Sequence, residues 1–598
     1  MRRETGDGSW RDEMVASAPR GGLVVSLFAA ACGPFVSAGS PSHEAASRPT
    51  RDRAVFVDFV AERFRNDYAL ASFKTERRQW DLEEELASLR RRIAVDDEDA
   101  FRRSLYRFFR SPEDLHTSVS LAGRPDTLWL GLHLIRTADE GVRVAWVDEA
   151  LARSGLQPGV RVYGWDGRAV EEVIRATSAQ TEWRSTPAFE RVFADWLTTF
   201  RGGYEWDELP SDGDPVVLDV EMADGARIPV TLAWRRVDPT SPSPITRCPY
   251  WSASATSYVP PLGPTTWSVM EDTEIPAYVF SHQNERYGYL RLHTYAWPES
   301  RHRAVRRDFD RAVDAFIARD VAAIVIDQTG NGGGNFVHAL TLLSRLSNED
   351  RVAPTQRFRY ASDGGLVGFP DRDVFRRLAR DLAPGATIPG ATRAFAAHPL
   401  LRGPLGFLAP TPENATELRA FAHFVADPPA PPHGRSALNS VPLSPPHHQV
   451  VARYRYDATR GPRFRGPLLL LIDARNISAA EYTAAALADG TGARLFGVRT
   501  AGAGGDQRTY RADGDCGADP LTPCVPSDVA GAMRRLGVRS FSLTVTEGWR
   551  QRGNRLGPRI ENRGIAPDIP YRLTAEDTRT GGVPMRAAIL AALAETAE

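Results

Sequence analysis

The sequence predicts a multidomain α/β protein with an N-terminal helical region, a β-rich middle and a C-terminal α/β core. The chain has 598 residues, which is more than one hydrophobic core sustains, so several domains are expected. Buried apolar strands that run through glycine or serine turns into helices, as after Leu468–Ile472, are typical of α/β sheets. Acidic and basic residues nearly cancel, 75 against 74, so no nucleic-acid partner is expected.

Residues 1–38 are predicted to be a secretory signal peptide. Arginines precede the apolar run "GGLVVSLFAAACGPFVSAGS", and small residues surround Ser37 at the spacing of a cleavage site. The mature protein is therefore expected to be secreted or periplasmic, with lipoprotein attachment through Cys32 as a minor alternative. The run is short and interrupted, and no later stretch approaches twenty apolar residues, so no membrane span is expected.

Residues 39–128 are predicted to form the helical region. The stretch "WDLEEELASLRRRI" repeats its apolar residues with helical spacing on one face, namely Leu82, Leu86, Leu89 and Ile93. The sequence Ser111-Pro112 ends the helical pattern, and an extended strand follows near Val119. His116 lies in this junction, where a lone histidine is more often structural than catalytic.

Residues 129–237 predict short strands and turns around two helices. From Gly141 to Ile174 the order is strand, short helix, Gly-Leu-x-Pro-Gly turn, strand, Asp166-Gly167 turn and helix, which resembles a PDZ domain. Such modules capture extended peptides by adding a strand to a sheet edge. Residues 238–286 are rich in proline, serine and threonine, and a linker or mobile loop is the default interpretation.

The core is predicted over residues 287–598. Its buried strand Val321–Asp327 empties into a loop with four glycines, which leaves bare backbone N–H groups. A phosphate loop would be followed by lysine and serine or threonine, but Asn335-Phe336 follows here, so an oxyanion donor fits better. Residues 350–462 are weakly patterned and are expected to be an irregular insertion with little sheet.

Ser478 lies in the most informative segment, "GPLLLLIDARNISAAEYTAAALADG". An apolar strand runs into a polar turn, and a helix begins near Glu481. A serine in such a turn has its hydroxyl clear of the sheet and beside unpaired helix N–H groups, as an anionic tetrahedral intermediate requires. A serine of this kind is by itself more often structural, and Glu561, beside a later turn, could be a solvated loop residue.

Four ordered motifs resemble those of the C-terminal-processing (tail-specific) serine proteases. "DQTGNGGG" at Asp327–Gly334 is similar to the family's "DLRgNgGG", and "SAAE" at Ser478–Glu481 is similar to its "SASE". "GVRTAGAGG" and "ENRGIAPDI" match two later motifs. The resemblance covers most of the chain after residue 60. It implies a crotonase/Clp-like ββα protease core with an inserted PDZ-like domain, and Ser478 as the nucleophile.

One departure concerns the catalytic base. Ala503 stands where these proteases carry a catalytic lysine, and Lys74 is the only lysine of the chain. The resemblance then implies the family's second solution, in which an N-terminal histidine is the base and a late glutamate orients it. His116, in the step "D-L-H", and Glu561, in "ENRGI", match those positions. Mutation of Lys74 is accordingly expected to leave the rate nearly unchanged.

The expected chemistry is acyl transfer. Ser478 attacks a peptide carbonyl, neutral His116 takes the proton and returns it to the leaving amine, and Glu561 holds the imidazole. The N–H groups of Gly333 and Ala479 are the candidate oxyanion hole. Ser118 could tune the base, although a plain strand serine is the simpler interpretation.

The function expected from the sequence is that of a secreted serine endopeptidase with protein or peptide substrates. The histidines lack ligand spacing, so neither a metal nor another cofactor is expected. The resemblance also implies a homodimer and an internal inhibitory role for residues 238–286, relieved by autoprocessing. Cys516 and Cys524 could close a local disulfide.

Two alternatives stay open. The chain could be a catalytically inactive protease fold that binds peptides or other ligands, as the loss of the lysine at Ala503 would suggest. It could also be an esterase or lipase, but "NISAA" around the serine lacks the Gly-x-Ser-x-Gly pattern.

Overall fold

The structure is a computed structural model. It describes residues 48–122, 127–152, 154–222, 225–237, 248, 250, 257–346, 351–360, 365–367, 372–383, 415–429, 450–454, 460–513, 525–552 and 555–597. The predicted signal peptide at residues 1–38, with Cys32, lies outside the described residues, as do Cys516 and Cys524.

The N-terminal region is helical, as its periodicity predicts. It contains α1 Arg48–Asp67, α2 Ala71–Arg78, α3 Leu82–Arg92 and α4 Glu98–Arg110, followed by the strand β1 Ser118–Leu121. Asp81 caps α3 by accepting the N–H groups of its first turn, and Asp97 caps α4 in the same way. The apolar faces of these helices are buried against residues of the C-terminal core, including Met533 and Phe541.

This packing makes the N-terminal region part of the core rather than a separate domain. Strand β1 pairs antiparallel with a late strand, with Ser118 opposite Ser542 and Val119 opposite Phe541. The turn that carries His116 is therefore fixed at both ends, by α4 before it and by this strand pair after it.

Residues 128–236 form the middle unit. Its elements are β2 Leu128–Trp129, β3 Leu132–Arg136, β4 Val142–Val147, α5 Glu149–Ala152, β5 Arg161–Trp165, β6 Arg168–Ala169, α6 Val170–Thr181, α7 Pro187–Thr199, β7 Phe200–Arg201, β8 Pro215–Glu221, β9 Arg227–Ala233 and β10 Arg235–Arg236. The main sheet has the order β3-β4-β5-β8-β9, with β6 paired to β5. The turn between β5 and β6 has positive φ at Asp166 (47°) and Gly167 (76°), as a two-residue hairpin turn requires.

The core begins earlier than the sequence predicts and runs to the end of the described chain. Its elements are β11 Thr265–Val269, β12 Ala277–His282, β13 Glu285–Arg291, a 3-10 turn Glu299–Arg301, α8 His302–Ala318, β14 Ala323–Asp327, α9 Phe336–Leu343, a 3-10 turn Ser344–Leu346, β15 Arg351–Phe358, α10 Arg372–Asp381, α11 Ala415–Ala426, β16 Val450–Tyr454, β17 Leu468–Ile472, α12 Ala479–Thr491, β18 Arg494–Gly497, β19 Gln507–Arg511, α13 Ser527–Arg535, β20 Val538–Thr544, β21 Thr546–Arg552, β22 Arg555–Arg559, β23 Ile569–Pro570, α14 Ala575–Thr580 and α15 Val583–Ala597.

The central sheet places the candidate site at one edge. Its strand order is β11-β12-β13-β14-β17-β18-β23, and β13, β14, β17 and β18 are parallel neighbours. Helices α8, α9 and α12 cover one face and α15 covers the other. Because the carboxyl ends of parallel strands meet at one edge, the glycine loop after β14 and the serine turn after β17 are adjacent.

Two predicted boundaries are corrected. The segment 238–286 is not a linker throughout, because β11 and β12 within it belong to the central sheet. The region 350–462, predicted to have little sheet, contributes two described strands, because β15 pairs with β16 and with β21 in a four-stranded sheet. The strand β11 lacks a clear apolar alternation, and β15 has partners far along the chain, so local periodicity does not reveal either strand.

Candidate active site

The turn that carries Ser478 joins the end of β17 to the start of α12. Ser478 has φ 57° and ψ −121°, a conformation that residues other than glycine rarely adopt. Its side chain makes no capping hydrogen bond, although serine is a preferred N-cap residue. The half-buried hydroxyl is therefore left for another partner. A strained serine at a strand-to-helix turn is also how α/β hydrolases expose their nucleophile.

Asn476 holds this turn in place, two residues before the serine. Its Oδ1 accepts the N–H of Asp473 at 2.9 Å, and its Nδ2 donates to the carbonyl of Gln328. The Asn476 carbonyl accepts the N–H of Ala501 at 3.0 Å. The Asn476 side chain thus ties the ends of β14 and β17 together, and its backbone carbonyl joins them to the segment after β18.

The glycine loop after β14 lies directly against the serine turn. A Cβ atom on Gly333 would stand 2.8 Å from the Cβ of Ser478 and 2.5 Å from the carbonyl oxygen of Ile477. Gly333 also has φ 91°, so both the available space and the backbone conformation require glycine. The fold thus brings the two segments into contact.

The two candidate oxyanion donors differ in their present partners. The N–H of Ala479, the first residue of α12, has no acceptor among the described residues. The N–H of Gly333 donates to Oδ1 of Asn331 at 2.8 Å, and Asn331 is held by the Leu292 carbonyl. One donor is available for an oxyanion, while the other is occupied.

Glu481, three residues after the serine, is structural in its contacts. Its carboxylate is fully buried and accepts the Thr500 hydroxyl, the Gly502 N–H at 2.8 Å and the Ala503 N–H at 2.6 Å. Burial raises the pKa of Glu481 to about 7, and these hydrogen bonds oppose the rise. The carboxylate fastens residues 500–503 beside the serine turn.

Ala503, where a family lysine would stand, is fully buried in an apolar cluster. The cluster also contains Leu115, next to His116, and Ile477, next to Ser478, packs against it. A cation at position 503 would therefore lie in apolar surroundings. The same cluster shows that the His116 and Ser478 segments meet here.

His116 follows α4 in a turn held by Asp114. One carboxylate oxygen of Asp114 accepts the His116 backbone N–H at 3.0 Å. The other accepts the hydroxyls of Thr117 and Thr544, each at 2.6 Å. The imidazole is 7% exposed and its Nδ1 has no hydrogen-bond partner. Burial lowers the pKa of His116, with Asp114 opposing the change, so the neutral ring is favoured.

Glu561 is fully buried and pairs with Lys74 rather than with His116. Its Oε1 accepts from Lys74 Nζ at 2.7 Å, and its Oε2 accepts the N–H of Gly504 at 3.3 Å. Burial raises the pKa of Glu561 to about 8, and Lys74 opposes this rise. Both oxygens therefore have partners from the surrounding fold.

The structure brings the predicted residues into one region without joining them. Glu481 and Glu561 hold successive residues of one segment, at Ala503 and Gly504. No hydrogen bond joins Ser478 to His116, or His116 to Glu561, all of which the structure describes. Ser118 lies in β1 opposite Ser542 and does not contact the imidazole through a hydrogen bond.

Sequence reasoning missed three residues of this region. Asp114, Lys74 and Asn562 all contact the predicted triad residues or their neighbours. For Lys74 a signal was present, because the chain contains this lysine alone among 74 lysine and arginine residues. The other two became visible only through contacts between distant segments.

Within the described residues, no group of three or more histidine, cysteine, aspartate or glutamate side chains could hold a metal ion. None of the described helices is both long and apolar enough to cross a membrane.

Comparisons with known proteins place this site in a family context. The sequence profile of Peptidase family S41 matches residues 286–571. An uncharacterized protein of Chlamydia muridarum is 24% identical over 345 residues, which is 54% of this chain and 48% of the relative. A Chlamydia pneumoniae protein is 24% identical over 348 residues, which is 55% of this chain and 47% of the length of that relative. The chain thus spans about half the length of the curated relatives that it matches.

The fold is similar to that of mature CPAF complexed with lactacystin, with a TM-score of 0.71 at 19% identity over 92% of this chain and 99% of that one. A crystal structure of mature CPAF matches with a TM-score of 0.69 at 19% identity, over 90% of this chain and 96% of that chain. These matches confirm the predicted multidomain α/β fold and the resemblance to C-terminal-processing proteases. The match to Peptidase family S41 covers residues 286–571, which include the glycine loop, Ser478 and Glu561.

Proposed function

We propose that the protein is a serine-type endopeptidase with Ser478 as nucleophile, His116 as general base and Glu561 as the residue that orients the base. The observation that carries the proposal is the strained Ser478 turn, packed against Gly333 with the Ala479 N–H available. It lies within the residues that match the profile of Peptidase family S41, which supports peptide-bond hydrolysis as the reaction.

The proposed reaction is acyl transfer in two steps. Ser478 Oγ attacks the peptide carbonyl while His116 takes its proton, and the oxyanion is stabilised by the Ala479 N–H. The imidazolium then returns the proton to the leaving amine, and water repeats the sequence on the acyl-enzyme. Burial of His116 supports its role as base, because it favours the neutral ring that can accept a proton.

Two rearrangements would complete the site. The imidazole would move within hydrogen-bond distance of Ser478 Oγ and of a free lone pair on Glu561. Such a movement is common, because the hydrogen bonds between catalytic residues often tighten only when substrate binds. The Gly333 N–H would turn from Asn331 to the oxyanion as the second donor. Removing one oxyanion-hole donor in other proteases lowers the rate by about 100-fold to 1,000-fold.

The second candidate function is a catalytically inactive protein that binds peptides or other ligands. The occupied Gly333 N–H and the absence of a hydrogen bond between Ser478 and His116 favour this alternative. It retains the same surfaces but requires no reactive serine.

Labelling with a fluorophosphonate probe distinguishes the two. The wild-type protein should be labelled on Ser478, because the probe reacts with an activated serine, whereas Ser478→Ala should be unlabelled and equally stable. Ser118→Ala, the matched control, should react like wild type. Absence of labelling in folded wild-type protein, together with absence of peptide hydrolysis, would favour the binding protein.

We further propose that the protein is exported and processes itself. Export is supported by the basic and apolar leader in residues 1–38, and a homodimer is supported by the family resemblance alone. Autoprocessing is supported by contacts of the described part of residues 238–286. Ser257 donates to Asp327, and Tyr258 donates to Asp473 at 3.4 Å, so this segment lies at the sheet edge that carries the site.

A further inference from the structure

The only lysine of the chain is completely buried beside Glu561. Lys74 Nζ donates to Glu561 Oε1 at 2.7 Å, to the Glu113 carbonyl at 2.9 Å and to Oδ1 of Asn562. An ammonium group has three N–H donors, and all three are used. All the other residues among the 74 lysines and arginines of the chain are arginines.

The three acceptors come from two separate segments of the site. Glu113 opens the turn that leads to His116, while Glu561 and Asn562 belong to the late loop. Asn562 Nδ2 also donates to the Glu113 carbonyl at 2.9 Å, so the two segments are joined twice. Glu113 and Asn562 both have positive φ, 52° and 51°, which makes both turns dependent on such outside support.

Lys74 is also the cation that faces the buried carboxylates of this region. Its charge favours the ionised forms of Glu561 and Asp114. The Glu113 carboxylate points elsewhere and pairs with Arg78 and Arg184. The other ionisable groups around these two carboxylates include Glu481, His116, Tyr68 and Tyr482. A compact ammonium suits three acceptors around one point better than the planar fork of arginine does.

We propose that Lys74 is a positioning residue of the active site, which joins Glu561 to the His116 turn and whose charge favours the ionised Glu561 carboxylate. The inference rests on the proposed peptidase function. It replaces the expectation from the sequence that Lys74 has no part in the rate. Because all three N–H groups of Lys74 are used in hydrogen bonds, Lys74 is not the base. It acts on His116 through Glu561.

The pH dependence of kcat/KM carries the first test. The site needs a neutral His116, whose pKa is lowered, and an ionised Glu561, whose pKa is raised to about 8, so the rise of activity with pH should follow Glu561. Lys74→Met removes the positive charge that opposes the raised pKa of Glu561. The pH at which activity rises should therefore increase by about one to three units, and kcat/KM at pH 7.5 should fall by about eightfold or more.

Two further variants separate positioning from folding. Arg359→Met is the matched control, because Arg359 is a buried cation that holds the carbonyls of Asn66 and Tyr68 and contacts no triad residue. It should lower the unfolding temperature and leave the pH profile in place. Lys74→Arg, which restores the charge, should return the profile toward that of wild type. A Lys74→Met enzyme with the wild-type profile would overturn the inference.

Amine modification gives a readout that needs no activity. An N-hydroxysuccinimide ester can modify only Lys74 and the N-terminal amine of this chain, so mass spectrometry of the Lys74 peptide is unambiguous. Lys74 should be protected in the folded wild-type protein and should react faster in Glu561→Gln and Asn562→Ala. If Lys74 reacted in the folded wild type as fast as in the denatured chain, the proposal that Lys74 joins Glu561 to the His116 turn would be refuted. If Lys74 is protected but fluorophosphonate leaves Ser478 unlabelled, the peptidase proposal alone fails.

Discussion

Gly333 and Ser478 illustrate how the candidate site depends on single residues. Ser478 occupies a positive-φ conformation that exposes its hydroxyl, and Gly333 permits the glycine loop to approach within contact of it. The backbone strain of the serine turn is maintained because Asn476 and Glu481 hold its flanks with buried hydrogen bonds. Geometry at this scale decides whether the Ala479 N–H and the serine hydroxyl point into a common space.

The first residue-scale prediction concerns Gly333→Ala. The new methyl group would lie 2.5 Å from the Ile477 carbonyl oxygen, so the loop must shift away from Ser478. We expect at least a tenfold slower fluorophosphonate labelling and a loss of about 1–3 kcal/mol in the free energy of unfolding.

Gly492→Ala is the matched control, because Gly492 has φ 75° but nothing within 4 Å of its would-be Cβ. It should cost about 1–2 kcal/mol of stability without slowing the labelling. Equal labelling rates for the two variants would show that the close approach of Gly333 has no part in the site.

At the scale of elements, the pair β1–β20 delivers His116 to the core. Strand β20 supplies both Ser542, which faces Ser118 across the pair, and Thr544, whose hydroxyl binds Asp114. The Thr544 carbonyl also accepts the N–H of Ala69, between α1 and α2. One strand therefore positions both the His116 turn and the helix that carries Lys74.

Thr544→Val tests this element. The substitution keeps the shape of the side chain but removes one of the hydroxyl donors to the buried Asp114 carboxylate, which should cost about 1–3 kcal/mol of stability. Peptidase activity should fall as well, because Asp114 holds the backbone N–H of His116.

Thr509→Val, in the neighbouring strand, is the control for a lost hydroxyl. The Thr509 hydroxyl pairs with the Ser542 hydroxyl at 2.8 Å, so its removal should cost about 1 kcal/mol and leave activity unchanged. Chemical unfolding and peptide hydrolysis measure both effects. If Thr544→Val were as active as Thr509→Val, the hydrogen bond from Thr544 to Asp114 would have no part in catalysis.

At the scale of the whole molecule, the segment before the central sheet is tied to the site. Ser257 and Tyr258 contact the acidic residues that end β14 and β17, and Tyr250 stacks on Tyr258 with ring centroids 5.2 Å apart. The chain then continues directly into β11 of the central sheet. Cleavage before β11 would therefore leave two fragments that stay associated through the middle unit and the N-terminal helices.

The molecular-scale prediction is self-conversion. Freshly purified protein should be weakly active and should gain activity as it is cut within or beside residues 238–286, because the docked segment leaves the sheet edge. Electrophoresis and intact mass over time measure the conversion, and Ser478→Ala should remain a single chain under the same conditions. If the uncut chain were fully active at the first time point, residues 238–286 would act only as a linker and not as an inhibitory segment.

Much of the local structure could be predicted because its causes are local. The helix α3 follows from its apolar spacing and Asp81 cap, and the buried strand Leu468–Ile472 from its uninterrupted apolar run. The strand β1 could be anticipated near Val119, but not its partner β20, which is more than 400 residues away. The strand β15 was missed for a similar reason, since it pairs with β21, about 190 residues later, whereas β11 pairs with the adjacent β12 but shows little apolar alternation.

The sequence alone determined the glycine loop, the serine turn and the exclusion of a lysine at position 503, because glycine content, apolar runs and residue identity are properties of adjacent residues. Only the tertiary structure decided what surrounds them: the occupied N–H of Gly333, the Asp114 contacts of His116 and the pairing of Glu561 with Lys74. Lys74 and Glu561 are 487 positions apart, and a buried ammonium requires a carboxylate that only the packing of distant segments can supply.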